Sequence, residues 1–348
     1  MRLSTPDSAE RQAALALSLA VGIGSAGHRE LIARFGSAER ALDARADADE
    51  LRQRADDLEA AAARADARLW VRHEAGYPAA LLALEHPPIW VTTRGDPSHL
   101  GQVGVAVVGT RNASPYGTRV ARDIGRAIAR SGGVVVSGLA RGIDAVAHRA
   151  ALEAGGATIA VLGTGVDVAY PAGHRALLDE VVRHGLGVSA YAPGARATPG
   201  SFPDRNRLIA ALARVTVVVE AGRASGALIT AQHAVDIARD VMAVPGPVDA
   251  PQSLGCNLLI RDGAHIICEV ADVLQAAGLT VPLASSAADR LTGPARAVWQ
   301  ALAKGALDPD GLAAVSRLPA RTCLAAITEL ELAGLVDCAF TGEIRRLG

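Results

Sequence analysis

Residues 103–117 read VGVAVVGTRNASPYG, a run of small β-branched residues that ends on a glycine and turns into a polar, glycine- and serine-containing segment. Both faces of the first seven residues are apolar, so the strand they form must be buried on both sides. A helical pattern follows at 117–131, and the same unit then repeats. Strands are expected at VVVSG (134–138), TIAVLG (158–163), GVSAY (187–191), VTVVVEA (215–221) and DVMAVPG (240–246), with helices at 143–154, 174–184, 205–213 and 227–238 between them. Near-continuous valine and isoleucine runs alternating with amphipathic helices specify an α/β fold, a Rossmann-like doubly wound parallel sheet. The segment PIWVTTRG (88–95) is expected to add an edge strand.

Outside this block the pattern changes. Residues 1–70 read as a small helical domain of the helix-hairpin-helix or SAM-like kind, with Gly22, Gly24 and Gly27 interrupting the apolar spacing. A Gly-Ile-Gly hairpin can present amides to phosphate, but ordinary glycine-capped helical turns are the favoured reading. Ten arginines there face twelve acidic residues, which is poor material for a DNA surface. Residues 44–68 look like a solvated helix rich in i,i+4 charge pairs. The Rossmann-like domain is placed at 71–278, an aperiodic Pro- and Ser-containing linker at 279–293, and a winged-helix-like domain at 294–348, with Leu335–Val336 and Ile344–Leu347 as wing strands. Six basic and six acidic residues cancel over 291–348, and a basic recognition helix is missing.

The 348 residues carry a net charge of −1, which excludes a globally basic binder and leaves room for a local basic face. No apolar stretch approaches the roughly 18–20 residues that span a bilayer, and Met1 to Arg11 is polar, so no membrane partner and a cytoplasmic location are expected. Cys256, Cys268, Cys323 and Cys338 form no CxxC pair; no metal and no cofactor are expected. Lys304 is the only lysine, so arginine supplies the other 34 of the 35 basic groups. Where those arginines cluster is therefore more informative than their number.

Ligands of open parallel sheets bind beyond the carboxyl ends of the strands, where the strand order switches direction. The tails here are GTRNASPYG (109–117), SGLARGIDAVAH (137–148), GTGVDVAYP (163–171), EAGRASGALIT (220–230) and PGPVD (245–249). Each sets a glycine or serine before a helix, and several helix starts on one rim make an anion pocket. Arg111 and Arg141 lie at strand tips; Arg119, Arg122, Arg126 and Arg130 read as the solvated face of a helix. Phe202-Pro203-Asp204-Arg205-Asn206-Arg207 joins an aromatic to two arginines at a helix start, in a chain with 3% aromatics. An aromatic beside guanidinium groups suits a stacked base next to a phosphate; the competing role for Phe202 is a staple under its helix. The dinucleotide fingerprint is missing: Gly163-Thr164-Gly165 is followed by Val168 where the third glycine belongs. For catalysis, Asp144 and His148 stand four apart on one helix and Glu220 ends a strand at the rim. Each also has a structural use, as a cap, a packing contact or a turn acceptor, and no nucleophile–base–orienter set is complete.

Segments in order, SGLARGIDAVAH, TIAVLGTGVDVAYP, FPDRNRLIAAL, SGALITAQHA and VPGPVDAPQSLGCNLLIRDGA, closely resemble the DprA/Smf family across nearly all of 103–270. The resemblance implies a single-stranded DNA-binding protein, not an enzyme, that protects incoming DNA and loads the RecA recombinase on it during natural transformation. It also implies a homodimer formed through the Rossmann-like domain. It carries the family's Gly-x-Arg tip onto Gly109 and Arg111, its Ser-Gly turn onto Ser137 and Gly138, its FPxRNR onto Phe202, Arg205, Asn206 and Arg207, and its Ser-Gly-x-Leu-x-Thr onto Ser225, Gly226 and Thr230. With Arg141, Gly163 and Gly165 these are the expected DNA-binding residues. Where the family has Ser-Glu after the fourth strand, this chain has Ser189-Ala190. The alternative reading is a nucleotide sensor, or a nucleotide hydrolase using Glu220 or Asp144, on the same rim.

Overall fold

The structure, a computed structural model, describes residues 8–72, 74–280, 291–305, 307–338 and 342–346. The expected linker is thus described only at 279–280 and 291–293, and Leu347 of the expected wing lies outside the described residues. The chain divides into two compact units, Met1–Thr280 and Val281–Gly348.

The first unit begins with α1 (Ser8–Ser18), α2 (Ser25–Phe35), α3 (Ala38–Asp43) and α4 (Ala48–Arg64). Gly36 closes α2 in the left-handed region at φ 86° and Gly22 turns the chain between α1 and α2 at φ 80°, so these glycines act as helix punctuation. The charged α4 is not a solvated spacer. Leu51, Ala55 and Leu58 recur at helical spacing and are buried in one cluster with Leu15 and Leu17 of α1, while the charges occupy the other side.

The sheet has nine strands in the order β1-β2-β6-β5-β4-β3-β7-β8-β9. These are β1 (Arg68–Val71), β2 (Trp90–Gly95), β3 (Gly104–Val108), β4 (Val134–Ser137), β5 (Thr158–Leu162), β6 (Leu186–Ser189), β7 (Val215–Val218), β8 (Asp240–Ala243) and β9 (His265–Ile266). Strands β3 to β9 are parallel throughout. PIWVTTRG does not form the edge: β2 pairs antiparallel with β6 on one side and with β1 on the other.

Side-chain alternation sorts the core into two layers. Val105 and Val107 face one side of β3 and pack on α5 (Pro115–Arg130), α6 (Ile143–Glu153) and α11 (Val270–Ala277); α7 (Arg175–His184) packs on the same side of β5. Ala106 and Val108 face the other side, covered by α8 (Ser201–Leu212), α9 (Gly226–Asp236) and α10 (Leu254–Arg261). From β3 the chain winds outward through β4, β5 and β6, then returns to the opposite flank at β7, which places the switch point between the tips of β3 and β7.

The second unit contains α12 (Gly293–Ala301), α13 (Pro309–Ser316) and α14 (Ala320–Leu332), followed by an antiparallel pair of β10 (Val336–Cys338) and β11 (Ile344–Arg346). Val298, Leu312, Ile327 and Leu330 form its separate core, a winged-helix arrangement. Among the described residues no helix is long and apolar enough to cross a membrane.

Candidate functional site

The turn after β3 is pinned at two points. The Thr110 amide donates to the Glu220 carbonyl at 2.7 Å, joining the tips of β3 and β7. Glu220 Oε2 accepts from the Ser114 amide at 2.9 Å, and Ser114 Oγ in turn caps α5 by accepting from the Gly117 amide at 3.0 Å. Glu220 is thus a buried turn acceptor, as one of its two expected roles required. Between these anchors Arg111 projects outward, exposed. Its Cζ lies 5.4 Å from the centroid of the Phe202 ring.

Beneath this surface lies a closed network around the turn after β4. The Gly138 amide donates to Asp144 Oδ2 at 3.0 Å. Arg205 Nη1 donates to the Gly138 carbonyl at 2.6 Å and to the Val161 carbonyl, and Arg205 Nε donates to Asn206 Oδ1 at 3.3 Å. Asn206 Nδ2 donates to the Gly226 carbonyl at 3.2 Å. One guanidinium therefore links the ends of β4 and β5 to α8, and its neighbour Asn206 extends the link to α9. Burial pushes the Arg205 guanidinium down to about 10, with Asp144 holding it up and Arg111 pressing it further down. Burial likewise raises the Asp144 carboxyl, opposed by Arg205 and by backbone amides.

His148, fully buried, accepts at Nε2 from the Leu139 amide at 3.3 Å, while Nδ1 meets Thr158 Oγ1 at 2.7 Å. The Thr158 hydroxyl is already donating to the Val135 carbonyl, so the ring is neutral with its proton on Nδ1. This braces Leu139, which is held at φ 58°. Desolvation, reinforced by Arg205, pushes His148 down to about 3. Asp144 and His148 are thus structural acceptors of two successive amides in one turn, not an acid–base pair.

Several expected contacts are corrected by these positions. Arg205 is 4% exposed and spent on the backbone carbonyls of Gly138 and Val161. Arg207 points away from the crevice, donating to Asp204 Oδ1 at 2.8 Å and to the His86 carbonyl at 2.6 Å. Ser137 is fully buried and donates to the Val107 carbonyl at 2.7 Å, and the Gly138 amide is taken by Asp144. Gly163 packs beneath Phe202, where a Cβ would come within 3.2 Å of the ring. The Gly165 amide donates to the Ala195 carbonyl at 2.9 Å, under a loop that leaves no room for a ligand.

What remains together is a cavity of about 730 Å³ at the switch point, lined by Gly109 to Arg111 from β3, by Phe202 and Asn206 from α8, and by Ser225, Gly226 and Thr230 at the start of α9. Ser225 caps α9, accepting from the Ala227 amide at 3.3 Å. Asp144 forms part of the floor. Across Arg111 and Phe202 a second hollow of about 120 Å³ adds Arg141 and Tyr170. Tyr170, absent from the expected set, has its ring centroid 4.9 Å from that of Phe202. Its signal was available: an aromatic in the tail after β5, in a chain with four tyrosines in all. Two exposed guanidinium groups, Arg111 and Arg141, two neighbouring π-faces and a capped helix start suit a ligand that carries both an anion and an aromatic ring. Among the described residues no group of three or more His, Cys, Asp or Glu is placed to hold a metal ion.

The family model for DNA recombination-mediator protein A matches residues 68–278, and one for the DprA winged helix domain matches 282–339. The chain belongs to the DNA recombination-mediator protein A family. It is 43% identical over 263 residues to the putative DNA processing protein DprA of Mycobacterium tuberculosis, covering 73% of this chain and 67% of that protein. It is 41% identical over 198 residues to DNA processing protein DprA of Streptococcus pneumoniae, covering 57% of this chain and 70% of that protein. Among solved structures, the S. pneumoniae DprA superposes with a TM-score of 0.62 at 32% identity, over 76% of this chain and 92% of that one. The Helicobacter pylori protein, described by its single-stranded DNA binding mode, gives 0.55 at 28% identity, over 60% and 94%.

Two measurements check the division between buried and exposed charge. Arg205→Ala strands Asp144 and two carbonyls and is expected to cost about 3–5 kcal/mol in urea denaturation, whereas Arg111→Ala stays within about 0.5 kcal/mol of wild type; equal stabilities overturn the assignment. For His148 the ordinary value near 6.5 applies in the unfolded chain and about 3 in the folded one. The unfolded chain binds the extra proton in that window, so this contribution is complete above it and is lost as pH falls through it. Between roughly pH 7 and pH 5 wild type is expected to lose about 2 kcal/mol more than His148→Gln; parallel pH profiles contradict the neutral, buried ring.

Proposed function

We propose that this chain binds single-stranded DNA in the switch-point crevice without catalysing a reaction on it. The observation that carries the reading is Arg111, exposed and set over Phe202, in a crevice that also offers Tyr170. The guanidinium meets a phosphate while the rings take bases, which every base tolerates because every base has a π-face. The H. pylori relative, described as a single-stranded DNA binder, shares the fold and supports the same assignment. Gly109, Arg141, Asn206, Ser225, Gly226 and Thr230 shape the crevice or its rim. Arg205, Ser137 and Gly138 act by holding it in shape.

In this reading the protein shields the strand and passes it to the RecA recombinase during natural transformation, working in the cytoplasm. Membership of a recombination-mediator family supports that role. A homodimer through the Rossmann-like unit completes the proposal. Strand β9 ends the sheet with Ile266 48% exposed, and an open sheet edge with apolar surface is a ready place for a second chain.

Fluorescence anisotropy with an oligothymidine tests the site. Arg111→Ala is expected to weaken binding and to reduce the magnitude of the log–log salt slope by about 0.7, one phosphate's share. Phe202→Ala is expected to cost about 1–3 kcal/mol in affinity. Unchanged affinity of both variants at low salt overturns the proposal, and binding of a mononucleotide as tight as that of the oligonucleotide favours the sensor reading instead.

A further inference from the structure

Helix α5 carries Arg119, Arg122, Arg126 and Arg130, spaced by three, four and four residues. At 3.6 residues per turn that spacing returns all four to one side, in a stripe about 80° wide and about 16 Å long. The opposite side holds Ala121, Ile124, Gly125 and Ile128 and is buried on the sheet. Arg119, Arg122 and Arg130 are exposed and Arg126 is half-buried.

Some surface arginines are paired with acids, and some, such as Arg64 and Arg183, are not. Arg52, Arg175, Arg261 and Arg345 each pair with a carboxylate, on Asp43, Asp179, Asp262 and Asp337 respectively. Among the described residues none of the α5 four makes a hydrogen bond or an ion pair. The one acid on this side, Asp123, sits about 20° beyond the edge of the stripe and forms no ion pair with any of them. Like charges at i,i+3 and i,i+4 repel, a cost that the single Asp123 offsets only in part and that a bound polyanion lowers.

The stripe also begins close to the crevice along the chain. Arg111 is three residues from the α5 cap, Ser114. Tyr116, 38% exposed, is anchored at the rim by its hydroxyl, which donates to the Pro245 carbonyl at 3.1 Å. Arg119 Cζ sits 5.5 Å from the centre of that ring, so the first turn of α5 repeats the pairing of guanidinium and π-face seen at Arg111 and Phe202.

We infer that the arginine face of α5 is a second contact surface for the same strand: DNA leaving the crevice past Arg111 passes Tyr116 and lays its sugar–phosphate backbone along Arg119, Arg122, Arg126 and Arg130. This rests on the crevice binding single-stranded DNA and adds a path and a length dependence to it. The contacts are to phosphate, so the track reads no sequence.

The test compares oligothymidines of about 5 and about 16 nucleotides, within the range of single-strand platform sites, on wild type, Arg111→Ala and the triple variant Arg122→Gln/Arg126→Gln/Arg130→Gln. Glutamine keeps helix propensity at these positions. The triple variant is expected to bind the longer strand on the order of tenfold more weakly at low salt, with a salt slope smaller in magnitude by about 2, and to bind the short strand as wild type does. Arg111→Ala weakens both. An unchanged slope on the longer strand overturns the inference while leaving the crevice intact, as does an equal loss at both lengths. Failure of wild type to bind either strand overturns the crevice reading and this one with it.

Discussion

A guanidinium buried under the sheet's carboxyl rim is the constraint on which the site depends. Arg205 closes the ends of β4 and β5 by donating to the carbonyls of Gly138 and Val161, and Asp144 stands close enough to offset its charge. Desolvating such a group is costly, and Coulomb attraction alone rarely repays it. The hydrogen bonds to the Gly138 and Val161 carbonyls supply the rest. The same group fixes the identity of its neighbour: a Cβ on Gly138 would overlap the Arg205 guanidinium. Gly138 and Asp144 of one turn and the distant Arg205 are thus mutually determined, and with them the position of the turn that floors the crevice.

The rim separates two kinds of charge. Arg205, Asp144 and neutral His148 are inside, satisfied by backbone and by each other, and carry shape. Arg111 and Arg141 are outside and stay available. Because the inner set is rigidly satisfied, the outer guanidinium and the Phe202 ring are presented without waiting on ligand to organise them, which lowers the entropic cost of binding. Glu220 extends this logic to the far side of the switch point, since its carboxylate secures the start of α5.

Much of this was legible in the sequence because valine runs buried on both faces admit few arrangements. VGVAVVG and VTVVVEA identify strands β3 and β7, and the alternation with helices identifies their direction. Strands β1 and β9, with four and two residues, are too short for periodicity to register, so in the sequence β2 reads as an edge. Helix α4 reads as solvated because its eight charges equal its leucines and alanines in number, although the spacing of the apolar residues alone decides burial. At the site, turn chemistry and the switch-point rule located the rim but could not grade its arginines. Arg205 and Arg207 lie two apart in one motif, yet one is inside and the other is tied to Asp204 and the His86 carbonyl. Only the path of the surrounding backbone decides which carbonyls need a donor. The same reason explains why Ser137 and Gly165, attractive as anion contacts in sequence, are consumed by the fold.

The account stands or falls on whether nucleic acid lies across the ring of Phe202. Ultraviolet cross-linking of oligothymidine to the full chain, followed by peptide mapping, locates that contact directly. Adducts on Phe202 or Tyr170 are the result predicted; adducts confined to the winged-helix unit, with none at the sheet rim, would contradict it.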